Sequence, residues 1–508
     1  MFRNQFIFVA AFAALFTADA QTQTNQTRSL TLGETIRLSL QHNLDVRIER
    51  YAPQVAEFNL SGVYSAYDPN FSFRAQQSYD SSPGGFNPIS GLPSPGNRTY
   101  TESFRPGLSG ALPSGLSYDV NSDLANRTSG TTFVTDTNGV VREVNRGFQY
   151  RPDIGIDLAQ PILKNFWIDA ARQQIWVDRK TLKISELGVQ QRIMDVVNRV
   201  EQAYYDLIFA IENVRVQEKG LELAERLLSE NKRRVEVGAL APLDEKQAES
   251  QAAASRADLL SAHRDLDAQQ NVLKNLIADD YKNWHDISIV PEEKLLAIPE
   301  KFNLMESWAK GMTQRPDLLQ SRIDIERRDI VLRYDRNQLY PQLDLIGSYG
   351  RNGLGRHFGD AWDTISQEQN PKYSYGVLFS MPLSNRGPRN RYRASQAEKE
   401  QALLILKRLE QNILVQIDDS VKLAQTDFQR VDATRQARLY AEAALDAEQK
   451  KLENGKSTSF IVLQLQRDLT QARSAEIRAL ADYNKALSQL AFNEGTVFER
   501  NHLALNLK

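Results

Sequence analysis

Histidine, cysteine and carboxylate side chains are the residues of this sequence that could bind a metal ion or catalyse a reaction. The chain has no cysteine, which excludes a thiol nucleophile, a cysteine-based zinc site and an iron–sulfur cluster. No two histidines are three or four residues apart, the spacing that lets one helix present two imidazoles to one ion. The five histidines are His42, His263, His285, His357 and His502.

Catalytic motifs are equally hard to find. No Walker A, GxSxG or GxGxxG sequence occurs, and Gly350–Gly355 is expected to be a glycine-bearing loop after a strand, without the helix that a phosphate site needs. The carboxylates lie on predicted helix faces, where solvation is the ordinary state. The sequence therefore predicts a protein that is not an enzyme and that has no cofactor.

Composition limits the possible partners and architecture. The 508 residues carry a net charge of -2, so nucleic acid is not an expected partner. Glycine (26 residues) and proline (18 residues) are scarce, as in long helices and coiled coils. No apolar run approaches the ~20 residues of a transmembrane helix.

The first 20 residues have the pattern of a secretory signal peptide. Arg3 supplies a positive charge, Phe6 to Phe16 form an apolar run, and Ala18-Asp19-Ala20 has the A-x-A form of a cleavage site. The alternative is a frayed apolar N-terminus. A large exported chain without cysteine suits a bacterial periplasm or outer membrane.

The remaining chain reads as two tandem copies of one unit, residues 21–295 and 296–508. Six positions in the first copy recur 272 residues later, and later positions recur at shorter offsets, so the first copy carries an insertion. The matching pairs are Leu32 and Leu304, Glu34 and Glu306, Asp45 and Asp317, Arg50 and Arg322, Glu57 and Asp329, and Pro69 and Pro341.

Helix starts and strands follow from local pattern. Thr31-x-x-Glu34 and Asn303-x-x-Glu306 predict capping boxes. Alternating apolar residues predict strands within about 70–162 and 341–383. Residues 80–147 are rich in Gly, Ser, Asn, Pro and Thr, as surface loops are, although segments 101–112 and 116–124 could form an extra hairpin. Whether this insertion adds barrel strands is left open.

Two long helical hairpins are predicted, about 165–280 and about 386–493. Apolar residues from Ile193 to Val214 and from Leu403 to Val431 recur with a mean step near 3.5, the coiled-coil period. The helix from about Ala170 to Val237 would be roughly 100 Å long. An exported structural rod or adhesin-like fibre would explain such helices, but it does not explain the strands that interrupt both copies.

The short pairs of predicted strands bear on whether the protein can span a membrane. A sheet that spans lipid must close, because its edges would otherwise leave backbone groups unpaired. A chain that contributes about four strands could close such a barrel only by oligomerising. The fold class expected here is therefore an α+β membrane protein: long helices in a coiled-coil α-barrel, plus a transmembrane β-barrel closed by trimerisation.

The order of these elements, with the glycine turns at Val237-Gly238 and Asn454-Gly455, resembles the outer-membrane efflux protein family of TolC-like channel-tunnels. The resemblance covers nearly all of the mature chain. It implies that the second repeat ends with a C-terminal equatorial segment. It implies a homotrimer in the outer membrane of a Gram-negative-type bacterium, with a twelve-stranded barrel and a twelve-helix periplasmic tunnel. The implied partners are a periplasmic adaptor (membrane fusion) protein and an inner-membrane pump of the RND, ABC or MFS type. The implied function is efflux or type I secretion.

The two glycine turns would be the periplasmic tips of the tunnel. Glycine at these positions also suits an ordinary helix C-terminus, where it adopts the left-handed conformation at least cost. The resemblance implies that the tips also dock on the adaptor. The residues of this expected surface are Val237, Gly238, Ala239, Asn454, Gly455, Lys456 and Ser457.

A constriction of the entrance is expected just above the tips. The family's two ring carboxylates correspond here to Ile461 and Gln464, so an acidic ring is not expected at those positions. Asp468 shares their helix face and could form a ring one turn deeper, although a solvated aspartate is the alternative. Asp244 corresponds to a gate-linking aspartate whose partners are missing. Phe460 and Leu243 could close the tip or belong to the coiled-coil core, and Lys456 could pair with Asp244 or Glu245.

Overall fold

The computed structural model of the chain describes residues 26–503, except 87–90, 92, 95, 137, 139 and 368–369. The predicted signal peptide therefore lies outside the described residues. Helices dominate this part of the chain, and four of them are very long. The helices are α1 (Leu32–His42), α2 (Leu44–Glu49), α3 (Tyr51–Val63), α4 (Ala170–Glu236), α5 (Pro242–Ile277), α6 (Leu304–Gln314), α7 (Pro316–Asn337), α8 (Phe358–Ser366), α9 (Arg386–Glu453), α10 (Ser459–Glu494) and α11 (Val497–Arg500).

Strands occupy three regions, between α3 and α4, between α7 and α9, and beside α1. The strands are β1 (Gln26–Leu30), β2 (Asn70–Ser82), β3 (Gly85–Phe86), β4 (Pro93–Ser94), β5 (Asn97–Ala111), β6 (Ser117–Asp123), β7 (Arg127–Thr135), β8 (Val141–Tyr150), β9 (Asp153–Pro161), β10 (Ile287–Pro291), β11 (Gln342–Asn352) and β12 (Pro371–Ser380).

The helix starts follow the local sequence, with one exception. At α1 the Thr31 hydroxyl accepts from the Glu34 amide while the Glu34 carboxylate accepts from the Thr31 amide, so the predicted capping box is present. At α6 the same prediction is wrong, because the Asn303 side chain makes no capping hydrogen bond. Pro316 begins α7 at a position where its missing amide hydrogen costs nothing.

Helices α4 and α5 form one antiparallel hairpin, and α9 and α10 form the other. Helix α4 has 67 residues and α9 has 68, which is about 100 Å each at 1.5 Å per residue. The apolar spacing predicted the buried side of α4, since Ile193, Val200 and Leu207 are all 5% exposed or less. In α9 the pattern fails at one end: Leu403 is 38% exposed.

Near the middle of α4, short helices and strands pack against the long hairpins. Strand β1 pairs in parallel with β10, although their sequences are about 260 residues apart. Leu30, Ile36 and Ile289 from this wrapping layer are buried with Val200 and Tyr204 of α4. The largest core cluster among the described residues therefore joins β1 and α1, at the start of the first half of the chain, and β10, at its end, to α4.

The main sheet corrects one sequence expectation and answers a question that the sequence left open. Its strands run in the order β12, β11, β9, β6, β5, β7, β8, and β2 pairs with β5. The segment with the composition of surface loops thus contributes β5 to β8, and segments 101–112 and 116–124 do form the hairpin that the sequence allowed, since Gly107 pairs with Asn121. The expectation of about four strands per chain is wrong, because alternating Thr, Ser and Asn residues are compatible with strands whose one face is polar.

Within the described part of the chain, none of the helices combines the length and the apolarity that crossing a membrane requires.

Candidate functional site

Each long hairpin turns at a glycine in the left-handed conformation. Gly238 has φ +73 and Gly455 has φ +68. The residue after each glycine donates its amide hydrogen to a carbonyl five residues back: Ala239 to Arg234 at 2.7 Å, and Lys456 to Lys451 at 2.8 Å. This bond pattern closes a helix end by pairing its last carbonyls, and the φ it requires is cheap only for glycine.

The tip residues are largely exposed. Val237 is 79% exposed, and a Cβ at either glycine would meet no atom within 4 Å. Among the seven residues predicted to form the tip surface, Ser457 is the half-buried one. The structure thus groups these residues at two accessible turns, while their role in docking stays a prediction.

A buried asparagine connects the two tips. Asn231 of α4 is 1% exposed and accepts a hydrogen bond at 3.2 Å from the hydroxyl of Ser459, which begins α10. Its amide group donates to the backbone carbonyl of Asp244 at 3.4 Å, at the start of α5. One side chain therefore links three helices. Sequence reasoning missed it, although a polar residue in the heptad pattern of α4 was an available signal.

Apolar packing surrounds this asparagine. Leu227 of α4 and Ala248 of α5 form one buried cluster with Leu452 of α9 and Val462 of α10. The two hairpins are thus held to each other at the tip by an apolar core and by the buried Asn231–Ser459 hydrogen bond.

The predicted constriction residues lie on one side of α10. Ile461, Gln464 and Asp468 are all exposed in the single chain, while Val462 and Leu469, on the opposite side, are buried. The expected shared face is therefore present and uncovered. Whether it lines an entrance stays a prediction.

The other entrance candidates behave differently from the sequence expectation. Phe460 is 51% exposed and Leu243 is 66% exposed, so the interpretation of both as coiled-coil core is wrong for the single chain. Asp244 is half-buried.

The second tip uses another carboxylate, Glu448. Its pKa is lowered from the usual value, first by a hydrogen bond from Lys451 and then by one from Ser457. The Ser457 hydroxyl lies 2.5 Å from Oε1 of Glu448, and Nζ of Lys451 lies 2.8 Å from Oε2. Asp244 and Glu245 are the predicted partners of Lys456. The carboxylate that forms hydrogen bonds within this turn is instead that of Glu448.

The sequence predicts that Gly350–Gly355 is a loop without a following helix, but the first three of these residues belong to β11 and α8 begins at Phe358. The loop nevertheless has a packing role. A Cβ at Gly353 would lie 2.0 Å from the Ala361 carbonyl oxygen, and one at Gly355 would lie 2.5 Å from the Ala361 nitrogen. These glycines let α8 fold back tightly on the end of β11.

The main sheet has one apolar and one polar face. Residues directly opposite each other in an antiparallel pair point to the same face, so the register assigns each side chain. The apolar face carries Phe71, Phe73, Tyr79, Tyr100, Phe104, Leu108, Tyr118, Val120, Ile154, Ile156, Leu158, Leu345, Tyr349, Tyr373, Tyr375, Val377 and Phe379. Most of these side chains are exposed.

The opposite face is polar and internally bonded. Arg105 donates to Asp123 at 2.9 Å, and Lys372 donates to Asp153 at 2.7 Å. A hollow on this face is lined by Ser109, Asp119, Asp157 and Ser348, among others. Ile346, Leu378 and Val144 are large apolar residues that share this face. A sheet with one polar and one apolar face has the two surfaces that the wall of a membrane channel requires.

Metal chemistry finds no support in the described residues, where no group of three or more His, Asp and Glu side chains could hold a metal ion.

Known proteins resemble this chain in sequence and in fold. The cobalt-zinc-cadmium resistance protein CzcC of Cupriavidus metallidurans is 26% identical over 303 residues, which cover 58% of this chain and 66% of that protein, just under two thirds of its length. The outer membrane protein TolC of Escherichia coli is 24% identical over 352 residues, covering 65% of this chain and 67% of TolC.

Solved structures match the whole architecture. The outer-membrane channel OprN superposes with a TM-score of 0.65 at 16% identity, covering 92% of this chain and 90% of that chain. The CmeC outer membrane channel of Campylobacter jejuni gives 0.63 at 16% identity, covering 97% and 94%. The long hairpins and the sheet thus belong to a known channel fold.

The family model described as "Outer membrane efflux protein" matches residues 154–279 and 312–496. These ranges contain α4, α5, α9 and α10, both tips and the constriction face. They make up more than half of the chain, and the chain therefore belongs to the outer membrane efflux protein family.

Proposed function

We propose that three copies of this chain form a conduit that carries substrates passively from the periplasmic side to the outside of the cell. The observation that carries the proposal is the combination of two long hairpins with a sheet that is apolar on one face and polar on the other. One chain supplies an open sheet, and an open sheet in lipid leaves backbone groups unpaired. Closure by copies of the same chain removes those edges, with the helical hairpins assembling into the periplasmic tunnel.

The chain is further proposed to be two tandem units, residues 21–295 and 296–508. Corresponding helices have nearly equal lengths: α1 and α6 have 11 residues each, and α5 and α10 have 36 each. The long helices α4 and α9 differ by one residue. Two similar hairpins per chain would give a three-fold assembly with six hairpins around the tunnel.

The partners proposed are a periplasmic adaptor at the exposed tips and an inner-membrane pump behind it. The exposure of Val237 and the two accessible turns favour docking there. A passive conduit has no energy source of its own, so the pump supplies the work and selects the substrate. This division of labour would also leave the protein without a catalytic site.

Detergent extraction and planar-bilayer recording test the conduit. We expect the protein in outer-membrane fractions, sedimentation of the detergent-solubilised protein as a trimer, and discrete conductance steps. Recovery from the periplasm without detergent, or a monomer without conductance, would contradict the proposal.

Asp468 is proposed to form an acidic ring inside the entrance. It is exposed beside Gln464 and Ile461 on the face of α10 that the chain itself leaves uncovered. In a trimer three such carboxylates would face one axis, and a narrow low-dielectric passage strengthens their attraction for cations.

Replacement of the carboxylate tests this ring. Asp468→Asn should reduce the cation preference measured as a reversal potential in a salt gradient, because it removes three charges from the passage. The matched control is Asp446→Asn on α9, where the aspartate is exposed and paired with Lys450. Unchanged cation preference in Asp468→Asn, or an equal loss in the control, would exclude the ring.

A further inference from the structure

The main sheet is six strands wide, although it contains eight strand segments. Segments β6 and β7 both pair with the same side of β5, at Gly107–Ala111 and at Asn97–Glu102. Segments β8 and β9 likewise share one strand position in the sheet, because β8 pairs with β7 and β9 pairs with β6. The order across the sheet is therefore β2, β5, β6 with β7, β8 with β9, β11 and β12.

Hydrogen bonds cross both short breaks between these segments. The Leu124 amide between β6 and β7 donates to the Phe104 carbonyl at 2.9 Å. The Arg151 amide between β8 and β9 donates to the Asn126 carbonyl at 2.8 Å. Each pair of segments therefore behaves as one long, locally kinked strand.

The inserted strands β5 and β6 carry the same apolar face as β2 and β9 beside them. Leu108 of β5 lies opposite Phe71 of β2 and opposite Val120 of β6. Val120 in turn lies opposite Ile156 of β9. A surface loop or an internal plug would have no reason to keep this alternation in register with a lipid-facing wall.

The stagger of the strands is that of a closed barrel. The row that starts at Phe71 ends at Tyr373 after five steps between neighbouring strands. Phe71 is the second residue of β2, whereas Tyr373 lies seven residues before the helix-side end of β12 at Ser380. A stagger of a little over one residue per strand corresponds to a tilt of about 35–40°, within the range of barrels.

Both edges of this sheet are open in the described residues. Strand β2 pairs with β5 alone, and β12 pairs with β11 alone. The outer edges run antiparallel, because β2 leads away from the helices and β12 returns to them.

We propose that β2 of one copy pairs with β12 of the next, and that the barrel contains eighteen strands, six from each chain. This inference rests on the trimer of the proposed function. Barrel diameter grows roughly linearly with strand number, and barrels of 16–18 strands keep an aqueous channel. Four strands per chain would supply a barrel of twelve strands. The inserted hairpin raises that number by half, to eighteen, and thus widens the exit.

Spin labels on single cysteines test whether the inserted strands belong to the wall. The chain has no native cysteine, so each engineered thiol is the only one. Labels at Leu108→Cys and Val120→Cys should collide several-fold more often with oxygen dissolved in lipid than with a water-soluble nickel chelate. The matched neighbours Ser109→Cys and Asp119→Cys point to the other face and should give the reverse ratio.

Disulfide cross-linking between copies tests the closure. Phe73→Cys is combined in turn with Tyr373→Cys, Tyr375→Cys, Val377→Cys and Phe379→Cys, and at least one pair should give covalent trimers without reductant. The control Ala75→Cys with Phe104→Cys joins residues that are opposite within one chain and should leave monomers.

The outcomes separate the two proposals. Absence of a trimer in detergent would overturn the proposed function. A conducting trimer whose labels at 108 and 120 meet the chelate as often as those at 109 and 119 would overturn the eighteen-strand barrel alone. A conducting trimer without a cross-link at any of the four positions would overturn the β2–β12 closure.

Discussion

Asn231 illustrates how one residue fixes the geometry of the tip. Its side chain is buried between the hairpins, where a polar group is costly unless its bonds are satisfied. Ser459 and the Asp244 carbonyl satisfy it, and both lie at the first turn of a returning helix. The helices therefore have one favoured register at the tip, which apolar contacts alone specify less strictly.

Asn231→Ala should loosen this junction. Removing the side chain leaves the buried Ser459 hydroxyl without its acceptor, at a cost of about 1–3 kcal/mol, and also removes the bond to the Asp244 carbonyl. We expect a lower thermal midpoint and, if the tips gate the conduit, longer openings in planar bilayers. Lys456→Ala, at an exposed position of the same tip, is the control. Equal thermal midpoints in Asn231→Ala and the parent protein would contradict this role.

At the scale of elements, the hairpins depend on how their helices end. Helices α4 and α9 stop at glycines that take left-handed φ values, and their last carbonyls are paired within the turn. The next helices begin at once, with Pro242 in the first turn of α5. Short turns of this kind return the second helix of each hairpin antiparallel to the first.

Gly455→Ala should strain the second turn by about 1 kcal/mol, because a side chain is unfavourable at its φ of +68 even though the space around it is open. The control is Gly62→Ala within α3, where a Cβ also meets nothing within 4 Å and φ is not left-handed. That change should stabilise by up to about 1 kcal/mol. Thermal unfolding of both variants is the measurement, and shifts of the same sign would refute the conformational explanation.

At the scale of the whole molecule, distant segments are tied to the long helices by buried hydroxyls. Tyr204 of α4 is fully buried and donates to the Leu30 carbonyl at 2.9 Å, with the Glu293 carboxylate also within hydrogen-bonding reach. Burial raises the pKa of Tyr204 most, and the hydrogen bond with Glu293 raises it further. The hydroxyl therefore stays a donor over the physiological pH range. Tyr483 of α10 similarly donates to the Ile298 carbonyl at 2.6 Å.

Tyr204→Phe should detach β1 from α4. The Leu30 carbonyl and the Glu293 carboxylate would lose the donor from α4 while keeping the amide donors of Glu292 and Leu32. The loss of one buried hydrogen bond costs about 0.5–1.5 kcal/mol. Hydrogen exchange should accelerate at the β1 and β10 amides, and the thermal midpoint should fall. Tyr205→Phe is the control, since the Tyr205 hydroxyl makes no hydrogen bond within the described residues. Unchanged exchange at β1 would argue against the tie.

The sequence by itself determined the long helices and the glycine turns, because these depend on short-range physics, and their order along the chain indicated the family. Capping residues, a 3.5-residue apolar spacing and the φ of glycine act within a few positions of the chain. The seven tip residues and the shared face of Ile461, Gln464 and Asp468 were accessible from the sequence for the same reason.

The tertiary structure alone decided the width of the sheet and the junction of the tips. Residues 80–147 have the composition of loops, and their strand character depends on pairing with the flanking strands β2 and β9, at separations of tens of residues that exceed any local pattern. A polar face of Ser, Asn and Asp is strand only when a neighbour supplies the hydrogen bonds. The Asn231–Ser459 contact spans 228 residues, a separation that no local pattern encodes.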